Sequence, residues 1–225
     1  MSIKYHPKHE LLSAFVAGEL PASLSIAVSA HNELCDECRK KCEALAESQA
    51  IEFMKEDSFN EFELDDFESI NDEFDEMFAA ITTEPSRPEP LAKPCVNIDY
   101  KGQSLKLPRA LTSVTMSNWQ KLGKLRRAKL ELAEGKVHSN LLEIEAGGTV
   151  PTHTHKGYEL TLLLAGSFSD EHDTYHAGDF IWLNQHNTHT PVTAEGCLCF
   201  TVADDAQTFT QGISKLLNPI GRFIY

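Results

Sequence analysis

The first 80 or so residues carry apolar side chains at the three-to-four-residue spacing of amphipathic helices. One group of apolar residues lies at positions 11–16 and another at 24–34. Residues at this spacing share a helix face, so the pattern predicts helices that each bury one side. Gly18 suits the C-terminal stop of the first helix, and Pro21 suits the start of the second. We expect helical structure up to about Phe78.

A proline-rich stretch, Thr82 to Pro94, separates this region from the rest of the chain. It contains four prolines and few apolar residues. Proline lacks a backbone N–H and disfavours helical geometry in the residue before it. We therefore predict an extended linker at 82–95, between an N-terminal domain at 1–81 and a C-terminal domain at 96–225.

Beyond residue 96, short apolar runs are separated by Gly, Asp, Asn and Pro. The clearest runs are Val137–Ile144, Glu159–Leu164, Asp179–Leu183 and Cys197–Val202. Short runs with regular turn signals predict an all-β sandwich or small barrel. The predicted fold class is multidomain α plus β, with a small helical domain followed by an antiparallel β-barrel.

Negative charge is concentrated ahead of the linker. The net charge is −14, and 14 of the 34 acidic residues lie between Ile51 and Pro90. Phosphates would be repelled, which disfavours direct binding to nucleic acid. A solvated, partly disordered run is one interpretation of this segment. We favour an amphipathic segment that docks on a basic partner, because apolar residues are threaded through it. These are Phe53, Met54, Phe59, Phe62, Leu64, Phe67, Ile70, Phe74, Met77, Phe78 and Ile81.

The sequence also indicates where the protein acts. No apolar run approaches the roughly 20 residues needed to span a bilayer. The opening residues, MSIKYHPKHELL, lack the apolar stretch of a signal peptide. We expect a cytoplasmic protein without membrane association. In that reducing setting, clustered Cys and His indicate a metal site more than a disulfide framework.

One such cluster is an H-x3-C-x2-C pattern formed by His31, Cys35 and Cys38. Residues four apart on a helix lie one above the other, so His31 and Cys35 are expected to face the same way. Cys38 joins them if the chain turns at Asp36–Glu37. Zinc prefers four tetrahedral N and S ligands, and this pattern supplies three.

The fourth zinc ligand has two candidates in the sequence. His6 lies ahead of the first helix, and a ligand from that segment would tie the helices together. Cys42 is the competitor, one helical turn after Cys38. We favour His6 and expect zinc bound by His6, His31, Cys35 and Cys38.

Residues 1–80 resemble the zinc-containing anti-sigma domain. The early His6, the H-x3-C-x2-C run and the preceding LLSAFVAGELP are similar to those of the ChrR-type anti-sigma factors. The resemblance implies a helical domain that covers the polymerase-binding surfaces of a group IV, extracytoplasmic-function sigma factor.

A second motif lies in GGTVPTHTHKGYELTLLLAG. Written from Gly147 to Gly166 it is G-x5-H-x-H-x3-E-x6-G, with His153, His155 and Glu159. It resembles the first motif of the cupin barrels at each defining position. Alternation along a strand would place His153 and His155 on one face, aimed into the barrel.

The second cupin motif follows as GDFIWLNQHNTHTP. Gly178, Asp179 and His189 match the pattern, whereas Asn184 and His186 replace its usual proline and glycine. With His189, the barrel offers three imidazoles and a carboxylate. Such a set suits zinc, iron, manganese or nickel, and we expect a divalent metal, zinc foremost.

Several alternatives stay open at this site. Glu159 is either a ligand or a hydrogen-bond acceptor behind the ligands. The barrel is either a metal site or a cupin that no longer binds metal. Cys197 and Cys199 share one strand face and are either an oxidisable pair or ordinary core residues.

The ChrR-type resemblance covers nearly the whole chain and implies an anti-sigma factor. It further implies that the helical half inhibits the sigma factor and that the barrel responds to singlet oxygen or organic hydroperoxide. We accordingly expect no catalytic residues. The alternative is a cupin metalloenzyme, a dioxygenase or isomerase, that uses the same metal. A DNA-binding activator is disfavoured by the acidic charge.

Overall fold

The protein forms two compact units in a computed structural model. The structure describes residues 3–55, 67–83, 96–204 and 208–209. One unit comprises residues 1–46 with 95–225, and the other comprises residues 47–94. Most of the predicted linker and the middle of the acidic segment lie outside the described residues. The predicted domain boundaries at 81 and 95 remain predictions.

The N-terminal region is helical, as the apolar spacing predicts. α1 ends at Val16, and Gly18 adopts a φ of 73° that favours glycine, so the predicted stop is confirmed. Pro21 caps the start of α2. No helix in the described ranges is long and apolar enough to span a membrane. The helices are α1 (His9–Val16), α2 (Ala22–Leu34), α3 (Asp36–Lys55), α4 (Phe67–Thr83) and α5 (Arg109–Thr112).

The remainder of the described chain is built of antiparallel strands, and the predicted α plus β fold class is confirmed. The strands are β1 (Asn97–Tyr100), β2 (Gln103–Lys106), β3 (Gln120–Leu122), β4 (Leu125–Leu130), β5 (His138–Ile144), β6 (Gly148–Thr149), β7 (His153–Thr154), β8 (Tyr158–Ser169), β9 (Thr174–His176), β10 (Phe180–Asn184), β11 (Thr188–His189), β12 (Val192–Thr193), β13 (Cys197–Ala203) and β14 (Thr208–Phe209).

β8 organises the barrel because it is long enough to pair with several neighbours. It pairs with β13 and β10 along its first part and with β9 and β12 near its end. β13 and β8 extend the sheet through β5 to β4. Separately, β7 pairs with β11 and β14, which brings the two cupin motifs together.

Alternation along β13 divides the core of the first unit into two layers. Cys197 and Cys199 face the barrel interior, where they pack with Leu163. Phe200 points the opposite way, into a second cluster that also contains Leu12 of α1. The first helices therefore pack on the outer face of the barrel, which explains why residues 1–46 belong to the same unit.

Candidate metal centres

The first candidate metal centre forms where α2 meets α3. His31 lies in the last turn of α2, and Cys38 lies in the first turn of α3. Cys35 joins the helices in an extended conformation, with φ −124° and ψ 101°. We expected the chain to turn at Asp36–Glu37, but it turns at Cys35. The two acidic residues instead open α3, where they complement the positive end of the helix dipole.

His6 completes the cluster from the segment ahead of α1. Its Nδ1 lies 3.4 Å from Sγ of Cys35 and 3.4 Å from Sγ of Cys38. One ligand atom from each of His6, His31, Cys35 and Cys38 lies within 4.8 Å of the others. Cys42 is placed elsewhere, where its Sγ accepts a hydrogen bond from Nδ2 of Asn32 at 3.3 Å. The structure thus brings the four predicted residues together and leaves out the competitor.

His31 is held in the orientation a metal ligand needs. Its Nδ1 lies 2.9 Å from the carbonyl oxygen of Gly178, which makes Nδ1 the protonated nitrogen. Its Nε2 is buried and has no hydrogen-bond partner among the described residues. An unpartnered buried nitrogen is costly, and a metal ion would satisfy it.

Burial sets the protonation of this cluster. It lowers the pKa of His31 to about 4, so the imidazole is neutral at pH 7 and its lone pair is available. Burial, together with the neighbouring Cys35, raises the pKa of Cys38 to about 12. A bound metal would reverse the second effect by stabilising the thiolate. Two thiols and two imidazoles therefore fit a tetrahedral zinc ion.

The second candidate centre lies inside the barrel. Strand pairing sets His189 of β11 opposite His153 of β7, and their Nε2 atoms are 3.0 Å apart. His155 follows β7, with its Nε2 3.5 Å from that of His189. Glu159 at the start of β8 places Oε2 2.6 Å from Nε2 of His155. All four side chains are buried, and the structure brings this predicted set together as well.

Neighbouring groups orient this second set. Nδ1 of His153 donates to the carbonyl oxygen of Pro151 at 2.8 Å, which turns Nε2 inward. Nδ1 of His189 donates to Oδ2 of Asp170 at 3.1 Å. A carboxylate behind a ligating imidazole is a recurrent feature of metal sites. Sequence reasoning missed Asp170, because it lies 19 residues from His189 and no local spacing links them.

The electrostatics of the barrel centre favour a cation. Burial lowers the pKa of His153, so its imidazole is neutral. Burial alone would raise the pKa of Glu159, but His155 and His153 outweigh it and hold that pKa well below its usual range. A buried carboxylate beside three imidazoles suits a divalent metal.

The cavity beside this cluster is small. Its volume is about 30 Å³, and its lining includes Cys199 and Thr201. That space holds about one water molecule. A hydrogen bond to Cys197, together with burial, raises the pKa of Cys199 well above its usual value, so the thiol is protonated. The two thiols share the inner face, as predicted, and a redox role for them remains the less favoured alternative.

The fold and these clusters define a cupin protein that carries a second, helical candidate metal centre. Residues 108–206 match the family described as the ChrR cupin-like domain. The chain is 33% identical to the anti-sigma-E factor ChrR of Cereibacter sphaeroides, over 99% of this chain and 100% of that protein. The chain therefore belongs to the ChrR family of anti-sigma factors.

A solved structure of a ChrR protein has the same fold. The crystal structure of Rhodobacter sphaeroides SigE in complex with the anti-sigma ChrR matches with a TM-score of 0.66 and 29% identity, over 90% of this chain and 100% of that chain. An RmlC-like cupin protein from Ralstonia eutropha JMP134 matches with a TM-score of 0.39 and 21% identity, over 42% of this chain and 67% of that chain.

Proposed function

We propose that this protein binds and inhibits a SigE-like extracytoplasmic-function sigma factor, and that its cupin barrel senses oxidative stress and promotes release. The observation that carries the proposal is the match to ChrR along the whole chain, with a candidate metal cluster at each position the two motifs predict. The curated relative is named an anti-sigma-E factor, and the solved relative is bound to SigE. We therefore propose that the partner of this protein is also a SigE-like sigma factor.

A helix in the second unit has the properties of a docking surface. On α4, Phe74, Met77, Phe78 and Ile81 are between 50% and 64% exposed. Their spacing of three and four residues puts them on one face of the helix. An apolar helix face of this kind lies in a hydrophobic groove of a partner. We call these four residues the α4 face and propose that it contacts the sigma factor.

The charge around the α4 face specifies the kind of surface it fits. Asp75 and Glu76 lie beside the apolar residues on the same helix. The surrounding segment, residues 51–90, has 14 acidic residues and two basic ones. Complementary charge would speed encounter with a basic partner surface and disfavour nucleic acid. We place the interaction in the cytoplasm, where a sigma factor acts.

We propose Zn²⁺ for the centre formed by His6, His31, Cys35 and Cys38. Its donor set of two thiolates and two imidazoles is typical of closed, structural zinc sites. For the barrel, we propose a divalent metal held by His153, His155, Glu159 and His189. Zinc is the first choice there, and iron, manganese and nickel accept the same donors.

The geometry of the barrel favours a sensing role over an enzymatic one. A cavity of about 30 Å³ is far below the ≈300 Å³ of a typical small-molecule site. The alternative cupin dioxygenase or isomerase needs room for an organic substrate and has less support.

The test is transcription in vitro with each extracytoplasmic-function sigma factor of the source organism, with R. sphaeroides SigE as a reference. We expect the full chain to abolish transcription from one of these sigma factors and leave the housekeeping sigma factor unaffected. Oxidant treatment should then restore transcription. Full activity of every such sigma factor in excess folded, zinc-loaded protein would refute the proposal.

A further inference from the structure

A chain of hydrogen bonds begins at the barrel ligand His189. Its Nδ1 donates to Oδ2 of Asp170, whose side chain has no exposed area. The opposite nitrogen, Nε2, faces the other candidate ligands of the barrel. A metal bound at Nε2 would make Nδ1–H a stronger donor. The strength of the hydrogen bond to Asp170 therefore depends on whether the barrel holds a metal.

The same carboxylate shapes the loop that follows β8. Oδ1 of Asp170 accepts the backbone N–H groups of His172 at 2.9 Å and Asp173 at 3.1 Å. The backbone N–H of Asp170 in turn donates to the carbonyl oxygen of Asp173 at 3.0 Å. The loop 170–173 is therefore a closed turn built on the carboxylate that holds His189.

The far end of this loop holds the N-terminal segment. The carboxylate of Asp173 accepts hydrogen bonds from the Tyr5 hydroxyl and from Nζ of Lys4. The Tyr5 ring also lies 5.1 Å from that of Tyr175. Tyr5 immediately precedes His6, a candidate ligand of the helical centre. Hydrogen bonds and the backbone of the loop thus connect His189, a candidate ligand of the barrel centre, with Tyr5. Tyr5 is the neighbour of His6, a candidate ligand of the helical centre.

The barrel fixes the same segment through the backbone. Oδ1 of Asp179 accepts the N–H groups of Lys4 at 2.8 Å and Tyr5 at 3.0 Å. The N–H of Phe180 donates to the carbonyl oxygen of Tyr5 at 3.0 Å. The barrel therefore holds the main chain of Tyr5, the loop 170–173 holds its side chain, and His6 follows directly in the sequence.

We propose that Asp170 and Asp173 are positioning residues that couple the two metal centres. A metal in the barrel orders the loop 170–173, the loop holds Tyr5, and Tyr5 holds His6 in place for its own metal. Occupancy of the barrel then raises the metal affinity of the helical centre, and loss of the barrel metal lowers it. Linkage requires the effect to be reciprocal. The inference deepens the proposed function and rests on both clusters binding metal.

Co²⁺ is the probe, because thiolate ligation gives an intense charge-transfer band, and the proposed barrel set of His153, His155, Glu159 and His189 contains no thiolate. We define R as the Co²⁺ affinity of that centre in the parent divided by its affinity in His155→Ala, whose barrel set is incomplete. Coupling of ordinary strength predicts R of about five or more. In the backgrounds Tyr5→Phe and Asp173→Asn, R should fall toward one.

The matched control is Tyr100→Phe, which also removes one tyrosine hydroxyl. That hydroxyl donates to the carbonyl oxygen of Gly196 at 3.0 Å and has no part in the loop. R should therefore keep its parent value in this background. Circular dichroism and thermal unfolding establish that each variant is folded.

The outcomes separate the inference from the function it rests on. An R of one in the parent overturns the coupling, as does an R that Tyr5→Phe and Asp173→Asn leave unchanged. General destabilisation by His155→Ala would give that second result, since it acts equally in every background. Absence of the charge-transfer band would refute metal binding at the helical centre, and the coupling with it. A coupled protein that leaves every sigma factor active would instead refute only the sigma-binding proposal.

Discussion

Nδ1 of His31 lies 2.9 Å from the carbonyl oxygen of Gly178. One residue is a candidate zinc ligand at the end of a helix, and the other belongs to the second cupin motif, 147 positions further along the chain. The hydrogen bond fixes the tautomer of the imidazole and aims Nε2 at the other candidate ligands. The barrel thus helps to orient a candidate metal site whose candidate ligands are all N-terminal.

Substitution at Gly178 should weaken the helical metal site. Gly178 has a φ of +96°, and an added Cβ would lie 2.5 Å from the Ile3 side chain. We expect Gly178→Ala to shift residue 3 and the carbonyl that holds His31, and to lower zinc affinity about tenfold. Competition with a chromogenic chelator measures that affinity. The control is Gly135→Ala, since Gly135 has a φ of +65° and nothing lies within 4 Å of its added Cβ. Equal zinc affinity in Gly178→Ala and Gly135→Ala would contradict the prediction that the Gly178 carbonyl orients His31 for metal binding.

Removal of one thiol should abolish zinc binding at the helical site. Structural zinc contributes on the order of 10 kcal/mol to small domains, so Cys38→Ser should lose both metal and helical stability. Cys42→Ser is the matched control, because Cys42 is not among the four candidate ligands and its Sγ accepts a hydrogen bond from Asn32. Metal content per chain and far-UV circular dichroism distinguish the two variants. Zinc retained in Cys38→Ser but lost in Cys42→Ser would show that Cys42 is the ligand.

Zinc affinity at the helical site should rise with pH. The metal-free Cys38 thiol has a pKa raised to about 12, so it stays protonated from pH 6 to 9. Zinc must displace that proton, and each displaced proton increases the apparent affinity about tenfold per pH unit. His31 adds no slope in this range, because its pKa is lowered to about 4. We expect the logarithm of the affinity to rise by at least about one per pH unit in chelator competition. A flat profile would mean that Cys38 is not a ligand.

Truncation of the α4 face should weaken sigma binding without unfolding the protein. Phe78 is 61% exposed, so Phe78→Ala leaves little cavity behind. A central aromatic in an interface contributes about 2 kcal/mol or more, which corresponds to roughly 30-fold in Kd. Isothermal titration with the purified sigma factor gives the value. Leu122→Ala removes another exposed apolar side chain, on the barrel, and should have no effect.

Loss of the barrel metal should abolish the response to oxidant and spare inhibition. The acidic and apolar docking features lie in residues 51–81, ahead of the cupin motifs. We expect Glu159→Gln and His153→Ala to inhibit the sigma factor nearly as well as the parent. After oxidant treatment, both variants should keep the sigma factor bound. Thermal unfolding separates this outcome from collapse of the barrel. If metal-loaded and metal-free proteins release equal amounts of sigma factor, the metal is not the sensor, and Cys197 and Cys199 become the candidates.

Local patterns in the amino-acid sequence were sufficient to predict the main helices and strands and most of the residues of both candidate metal centres. Apolar spacing determines α1 and α2, since helical periodicity is local. The strand that starts at Cys197 follows equally from alternation and turn residues. H-x3-C and H-x-H place candidate ligands one helical turn or two strand positions apart, and these are distances that the backbone fixes locally.

Only the tertiary structure decided which distant groups complete and support those centres. It placed His6 rather than Cys42 beside Cys35, because that choice depends on where the segment ahead of α1 packs. It turned the chain at Cys35, and it brought Asp170 behind His189. The contacts of His6 and Asp170 join residues far apart in sequence, so no local spacing predicts their distances. The spacing of apolar residues indicates the local conformation of the chain. Burial in a shared core determines which residues distant in sequence come into contact.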